Sequence, residues 1–150
     1  MRVILNDVCI EKTFDKLNLS IESANTITIY GFKKQAFLEL LSNKKIDSGT
    51  IDGDINTIFN LNLSDYSFIT SNINDEISLW QMKYGFSIND FYKSLEKFGM
   101  NIKIMPNEFR FLSSFEKKVI KFLLAVYTNS SIIVVENIFD NLDGKSKGLF

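Results

Sequence analysis

Leu112 to Asp143 reads LSSFEKKVIKFLLAVYTNSSIIVVENIFDNLD, and this stretch decides the fold. Ser113 and Glu116 stand three residues apart just before an apolar run, the spacing of a capping box at a helix N-terminus. Ile120, Leu123, Leu124 and Tyr127 then recur at helical spacing, so a helix is predicted over Phe115–Tyr127. Ser131-Ile-Ile-Val-Val135 follows as an unbroken apolar run. That is the pattern of a strand buried on both faces of a parallel sheet, and Ile132–Val135 is expected to be a central strand. A helix feeding such a strand points to an α/β domain.

Working outward, residues 1–30 read as strands. Met1–Leu5 and Leu17-Asn-Leu-Ser-Ile21 alternate apolar and polar residues, and Thr26-Ile-Thr-Ile-Tyr30 is β-branched and stops at Gly31. Ala36, Phe37, Leu40 and Leu41 then fall at helical spacing, so a helix is expected over Lys34–Ser42. Asp47-Ser-Gly49 and Asp52-Gly53 mark turns around a short strand at Thr50-Ile51. Tyr66-Ser-Phe-Ile-Thr70 reads as another strand. Ser87 and Asp90 open a helix whose apolar face is Ile88, Phe91, Tyr92, Leu95 and Phe98, closed by Gly99. No repeat or linker interrupts the chain, which reads as a single domain over 1–150.

Composition narrows the chemistry. The 150 residues are 45% hydrophobic and 13% aromatic, too apolar for a disordered chain and enough for one core. Seventeen Lys+Arg against 18 Asp+Glu leave a net charge of −1, so no basic surplus drives nucleic-acid binding. There is no His, which removes imidazole acid–base chemistry, His-activated nucleophiles and His-ligated metal sites. A single Cys excludes a disulfide framework and a structural zinc site, and suits a reducing cytosol. No run reaches the about 18 apolar residues of a membrane span. No metal site is expected, and the expected location is cytoplasmic, at the inner face of the membrane if a partner holds it there.

Three segments in fixed order resemble the ATP-binding-cassette (ABC) ATPases, the motor domains of ABC transporters, from about Val3 to Asp143. Leu17 to Gly31 is similar to the family's strand into the Walker A loop. Phe37–Ser42 followed by Asp47-Ser-Gly-Thr-Ile-Asp-Gly53 is similar to the next helix and hairpin. Leu112-Ser113 resembles the start of the LSGGQ signature, and the spacing from there through Walker B to the D-loop at Asp143 is kept. The resemblance implies a P-loop NTPase fold: an ABC-ATPase-like core with an N-terminal antiparallel β subdomain, truncated after the Walker B/D-loop region.

The catalytic letters of that family are altered here. A Walker A loop needs glycines whose backbone N–H groups wrap phosphate, and a Lys. Gly31-Phe-Lys-Lys-Gln-Ala36 is about three residues short by the resemblance, with Lys34 at the phosphate position and Gln35 and Ala36 in place of the Ser/Thr pair. Any nucleotide contact would fall to Gly31, Lys33, Lys34 and Gln35. The bland reading is a tight turn and a helix with solvated lysines. In the signature-like run Leu112, Ser113, Ser114, Phe115, Glu116, the glycines are Ser114 and Phe115 and the Gln is Glu116, and a capping box explains Ser113 and Glu116 fully. Glu136 occupies the Walker B Asp position. Asn137 occupies that of the Glu that polarises water, and an amide cannot accept that proton. Asp140 and Asp143 keep a D-loop-like pattern that also reads as an exposed turn. Lys12 sits near the place of the adenine-stacking aromatic, Ser71 replaces the Q-loop Gln, and no switch His exists.

The resemblance therefore implies a degenerate ABC-transporter ATP-binding subunit, a non-hydrolysing structural or regulatory partner of a membrane transporter or an active cassette. Two alternatives stand beside it. One is a divergent but functional ATP-binding subunit using ATP and Mg²⁺; the other is a free-standing regulatory or binding protein on the same scaffold. No cofactor is expected under the first reading. With seven residues after Asp143, the flank of Ile132–Val135 is expected to need cover from a transporter subunit, a second cassette or a second copy, since burying a Val or Ile is worth roughly 1.5–3 kcal/mol.

Overall fold

The computed structural model describes residues 2–11, 13–22, 34–43, 46–53, 58–63, 67–101 and 105–137. The chain divides into two compact units, Met1–Ile58 and Phe59–Phe150.

The first unit holds a three-stranded antiparallel sheet in the order β2-β1-β3, built from β1 (Arg2–Ile10), β2 (Phe14–Glu22) and β3 (Ser48–Asp52). This is the antiparallel subdomain expected from the alternation, with longer strands than the pattern marked. Val3, Leu5 and Val8 are buried, a spacing of two and then three. The change comes from a bulge: the pairing of β1 with β2 shifts between Leu5 and Val8. Asp7 and Lys16 there take positive φ, 46° and 56°. Asn18 fastens the bulge, its Oδ1 accepting from the Asp7 amide at 2.9 Å and its Nδ2 donating to Asp7 Oδ1 at 3.1 Å. Opposite, Gly49 has φ 94°, and a Cβ there would lie 2.5 Å from the Asp7 carbonyl oxygen. Helix α1 (Lys34–Asn43) starts where the sequence placed it and buries Phe37, Leu40 and Leu41, with the Phe37 ring edge-on to Phe14 at 6.4 Å. The strand expected at Thr26–Tyr30 lies outside the described residues.

The second unit contains all but the first residue of β4 (Ile58–Asn62), which pairs with β5 (Ile132–Glu136), and helices α2 (Ile73–Tyr84), α3 (Ile88–Lys97) and α4 (Ser114–Val126). Its core joins Ile73 and Ile77 of α2, Phe91 and Leu95 of α3 and Val119, Ile120, Leu123 and Leu124 of α4. α3 begins at the Ser87 cap and ends as read: Gly99 has φ 75°, and the Met100 and Gly99 amides donate back to the Leu95 and Glu96 carbonyls, a Schellman closure.

Ser67–Thr70 is not a strand, contrary to the reading of Tyr66–Thr70; Tyr66 itself lies outside the described residues. The reason is that side chains take the bonds a ladder would use. Glu76, 2% exposed, accepts from the Thr70 amide at 2.8 Å, the Thr70 hydroxyl at 3.1 Å and Trp80 Nε1 at 3.0 Å. The Phe68 ring lies flat on Phe109, centroids 3.6 Å apart. β5 has its expected bounds, extended by Glu136. Among the described residues it pairs with β4, and Val134 is buried while its neighbours in the strand are half-buried.

Candidate functional site

Two described clusters carry the residues singled out by sequence, and both involve α4. The first is its N-terminus. Ser113 caps the helix with extended backbone (φ −63°, ψ 163°), its Oγ accepting from the Glu116 amide at 3.2 Å. Glu116 reaches back, its Oε2 accepting from both the Ser113 amide and the Ser113 hydroxyl at 2.7 Å. Leu112 is buried, and Phe115 is half-buried against the core of the unit. Ser114 is the first helical residue. The Ser113 hydroxyl is thus already donating and accepting inside its own helix turn, and Phe115 packs against the core of the unit.

The second cluster is the end of β5. Glu136 is half-buried, and its carbonyl accepts from the Leu63 amide at 3.0 Å. Asn137 follows with φ 59°, in the left-handed region that Asn tolerates better than most residues. Its Nδ2 donates to Asn62 Oδ1 at 3.1 Å, tying the residue after β5 to the end of β4. Its carbonyl accepts from Lys118 Nζ at 2.7 Å. Lys118 is fully buried, which is rare for a lysine and costly unless its ammonium is hydrogen-bonded.

Lys118 is the residue that sequence reasoning missed. The apolar spacing marked only Ile120, Leu123, Leu124 and Tyr127, yet α4 buries Lys118, Val119, Ile120, Leu123, Leu124 and Ala125. Ala125 belongs to a second apolar group with Leu61 and Leu63, against which Ile133 and Val135 pack. A helix buried on two sides leaves position 118 facing inward. The signal available in the sequence was Ala125 with its offset from the Leu123-Leu124 stripe, one side chain small enough to admit a second neighbour.

The remaining candidates are placed as follows. Lys34 and Gln35 are the first two residues of α1. Gly31, Lys33, Asp140 and Asp143 lie outside the described residues, as does Lys12. Ser71 is exposed, its carbonyl accepting from the Phe109 amide at 3.2 Å. Asn137, Lys118 and Asn62 are brought together by hydrogen bonds; Ser113 and Glu116 bond to each other at the N-terminus of α4.

Magnesium demands hard oxygen ligands in near-octahedral array. At this end of β5 the described residues offer one carboxylate, Glu136, beside an amide held by Asn62 and a carbonyl held by an ammonium. That donor set does not fit a divalent cation. Among the described residues no group of three or more His, Cys, Asp or Glu could hold a metal, and no helix is long and apolar enough to cross a membrane.

Solved structures share this architecture. The chain is similar to a metal-chelate type ABC transporter in an inward-facing conformation (TM-score 0.70, 15% identity, covering 98% of this chain and 64% of that one). It is similar to an ABC transporter ATP-binding protein from Pyrococcus furiosus (TM-score 0.74, 18% identity, 99% and 82%). It is also similar to cbiO1 from Clostridium perfringens, part of the ABC transporter complex cbiONQ (TM-score 0.77, 13% identity, 97% and 69%). No family model matches the sequence, and no curated protein matches it. The chain has the mixed α/β fold of an ABC ATP-binding domain, at a sequence distance where only the fold is shared.

Proposed function

We propose, from the premise of an ABC ATP-binding fold, that this chain is a degenerate cassette that does not hydrolyse ATP and serves as a structural or regulatory partner. Its partner is the membrane-embedded part of a transporter or an active cassette, met at the cytoplasmic face. The observation that carries this reading is Asn137. It stands where the resemblance puts the water-polarising carboxylate, it is an amide, and its side chain and carbonyl are engaged by Asn62 and Lys118. A group without a basic lone pair, held by two neighbours, cannot take a proton from water. The capped, Phe-bearing start of α4 supports the same reading, because its polar groups serve the helix.

An ATPase assay with Mg²⁺, with and without a co-expressed membrane subunit, tests it. No turnover above background is expected. Turnover that Lys34→Ala abolishes overturns the proposal.

A further inference from the structure

We infer that Lys118 is a positioning residue whose buried ammonium, donating to the Asn137 carbonyl, sets the end of β5 with a cation belonging to the chain in place of a bound divalent metal. The inference extends the reading of a non-hydrolysing cassette to how its altered site is held.

Lys118 has no exposed surface, and its Nζ lies 2.7 Å from the Asn137 oxygen. A lysine at this depth keeps its charge only where oxygen acceptors replace lost water, and a charged donor makes a stronger hydrogen bond than a neutral one. The acceptor is a backbone carbonyl at a residue with φ 59°, so the contact bears on backbone direction and not merely on a side chain. Asn137 Nδ2 on Asn62 Oδ1 adds a second restraint from β4. Residue 137 is therefore gripped from α4 and from β4 at once. The grip places positive charge beside the carbonyl, which disfavours a dication at the same spot by direct repulsion. A site that carries its own cation has no use for a metal to organise it.

Lysine's three rotatable donors matter more here than its length. Methionine fills a similar volume without an N–H, and propylammonium offers the N–H₃⁺ group without a covalent link. The wild-type chain is examined first by NMR, for a Lys118 ammonium resonance in slow exchange with water and a through-hydrogen-bond coupling from its ¹⁵Nζ to the ¹³C carbonyl of Asn137. Both are expected. An ammonium in fast exchange with no coupling overturns the inference without reference to any variant.

Variants then separate positioning from packing. In Lys118→Met the amide of Leu63, which donates to the Glu136 carbonyl one residue before Asn137, should lose at least tenfold in hydrogen-exchange protection relative to the core amides of Val119 and Ile120. In Lys118→Ala, propylammonium should raise Tm by several degrees, while tetramethylammonium, which has no N–H, should not. Millimolar Mg²⁺ should leave the wild-type Tm unchanged. Equal protection in Lys118→Met, or equal response to both amines, shows that Lys118 is merely filling space. A specific rise in wild-type Tm with Mg²⁺, absent with monovalent salt at equal ionic strength, shows that a metal is accommodated after all. None of these measurements involves ATP, so their failure is distinct from failure of the proposed non-hydrolysing role.

Discussion

The Glu116 carboxylate accepts from both the amide and the hydroxyl of Ser113, while the Ser113 hydroxyl oxygen accepts from the Glu116 amide, so each residue closes the other's unpaired donors at the start of α4. Removing the hydroxyl breaks both directions of this exchange. Ser113→Ala is expected to cost about 1 kcal/mol of stability, the usual worth of a helix N-cap. Urea denaturation measures it. A loss too small to detect shows that the cap is redundant.

Glu76 is the second buried polar residue on which local structure turns. It accepts from Thr70 twice and from Trp80 once. Glu76→Gln keeps the shape but turns an NH₂ toward a donor, leaving at least one buried group unsatisfied. That costs about 1–3 kcal/mol. Trp80 is the single tryptophan of the chain, so its fluorescence reports both the local change and the unfolding midpoint. An unshifted midpoint contradicts the role given to Glu76.

Installing a carboxylate at 137 should not install a base. Asn137→Glu loses the bond to Asn62 and puts a residue less tolerant of the left-handed region at φ 59°, which costs about 1–2 kcal/mol. A lower unfolding midpoint with no ATP turnover is the expected pair of results. Turnover gained by this one change means that the rest of the machinery is intact.

Nucleotide affinity should be weak or absent. Gly31 is the lone glycine of the Gly31–Ala36 segment, too few for a run of converging backbone N–H groups. Calorimetry with ATP and Mg²⁺ decides this, and sub-millimolar binding lost in Lys34→Ala contradicts it.

Asp90 gives a pH handle on α3. Its carboxyl is held below the ordinary value of 3.8, first by the hydrogen bond from Lys93, then by that ammonium's charge, then by Ser87. A carboxylate depressed in the folded state contributes stability above 3.8, and that contribution disappears as pH falls through the lower folded value. Lys93→Met should therefore bring the Asp90 titration, followed by NMR, back up toward 3.8. An unmoved titration assigns the depression to another group.

Features set within a few residues were legible in the sequence, and features set across the chain were not. The caps at Ser87 and Ser113 follow from neighbours three residues away, and both helices begin as read. Helix α2 carries a similar local signal, with Asn72 accepting from the Asp75 amide, but lacks a clean apolar stripe: only Ile73, Glu76 and Ile77 are buried. The apolar Tyr66–Thr70 run misled because Phe68 answers to Phe109 and Thr70 to Glu76, neither of which periodicity can express. Lys118 was hidden for the same reason: its burial depends on β5 arriving beside α4. The family resemblance located Asn137, and only the fold showed which groups hold it.

The bulge in β1 divides that strand into two reading frames. Before it, odd-numbered residues such as Val3 and Leu5 turn inward; after it, even-numbered Val8 does. Asp7 is thus the extra residue of the bulge: with it deleted, Leu5, Asn6 and Val8 would alternate without a break and Val8 would still turn inward. Two chains could share this sheet atom for atom and still be out of step in any comparison that assumes one unbroken alternation. For a strand of this kind, the length of an insertion matters less than whether it is odd or even.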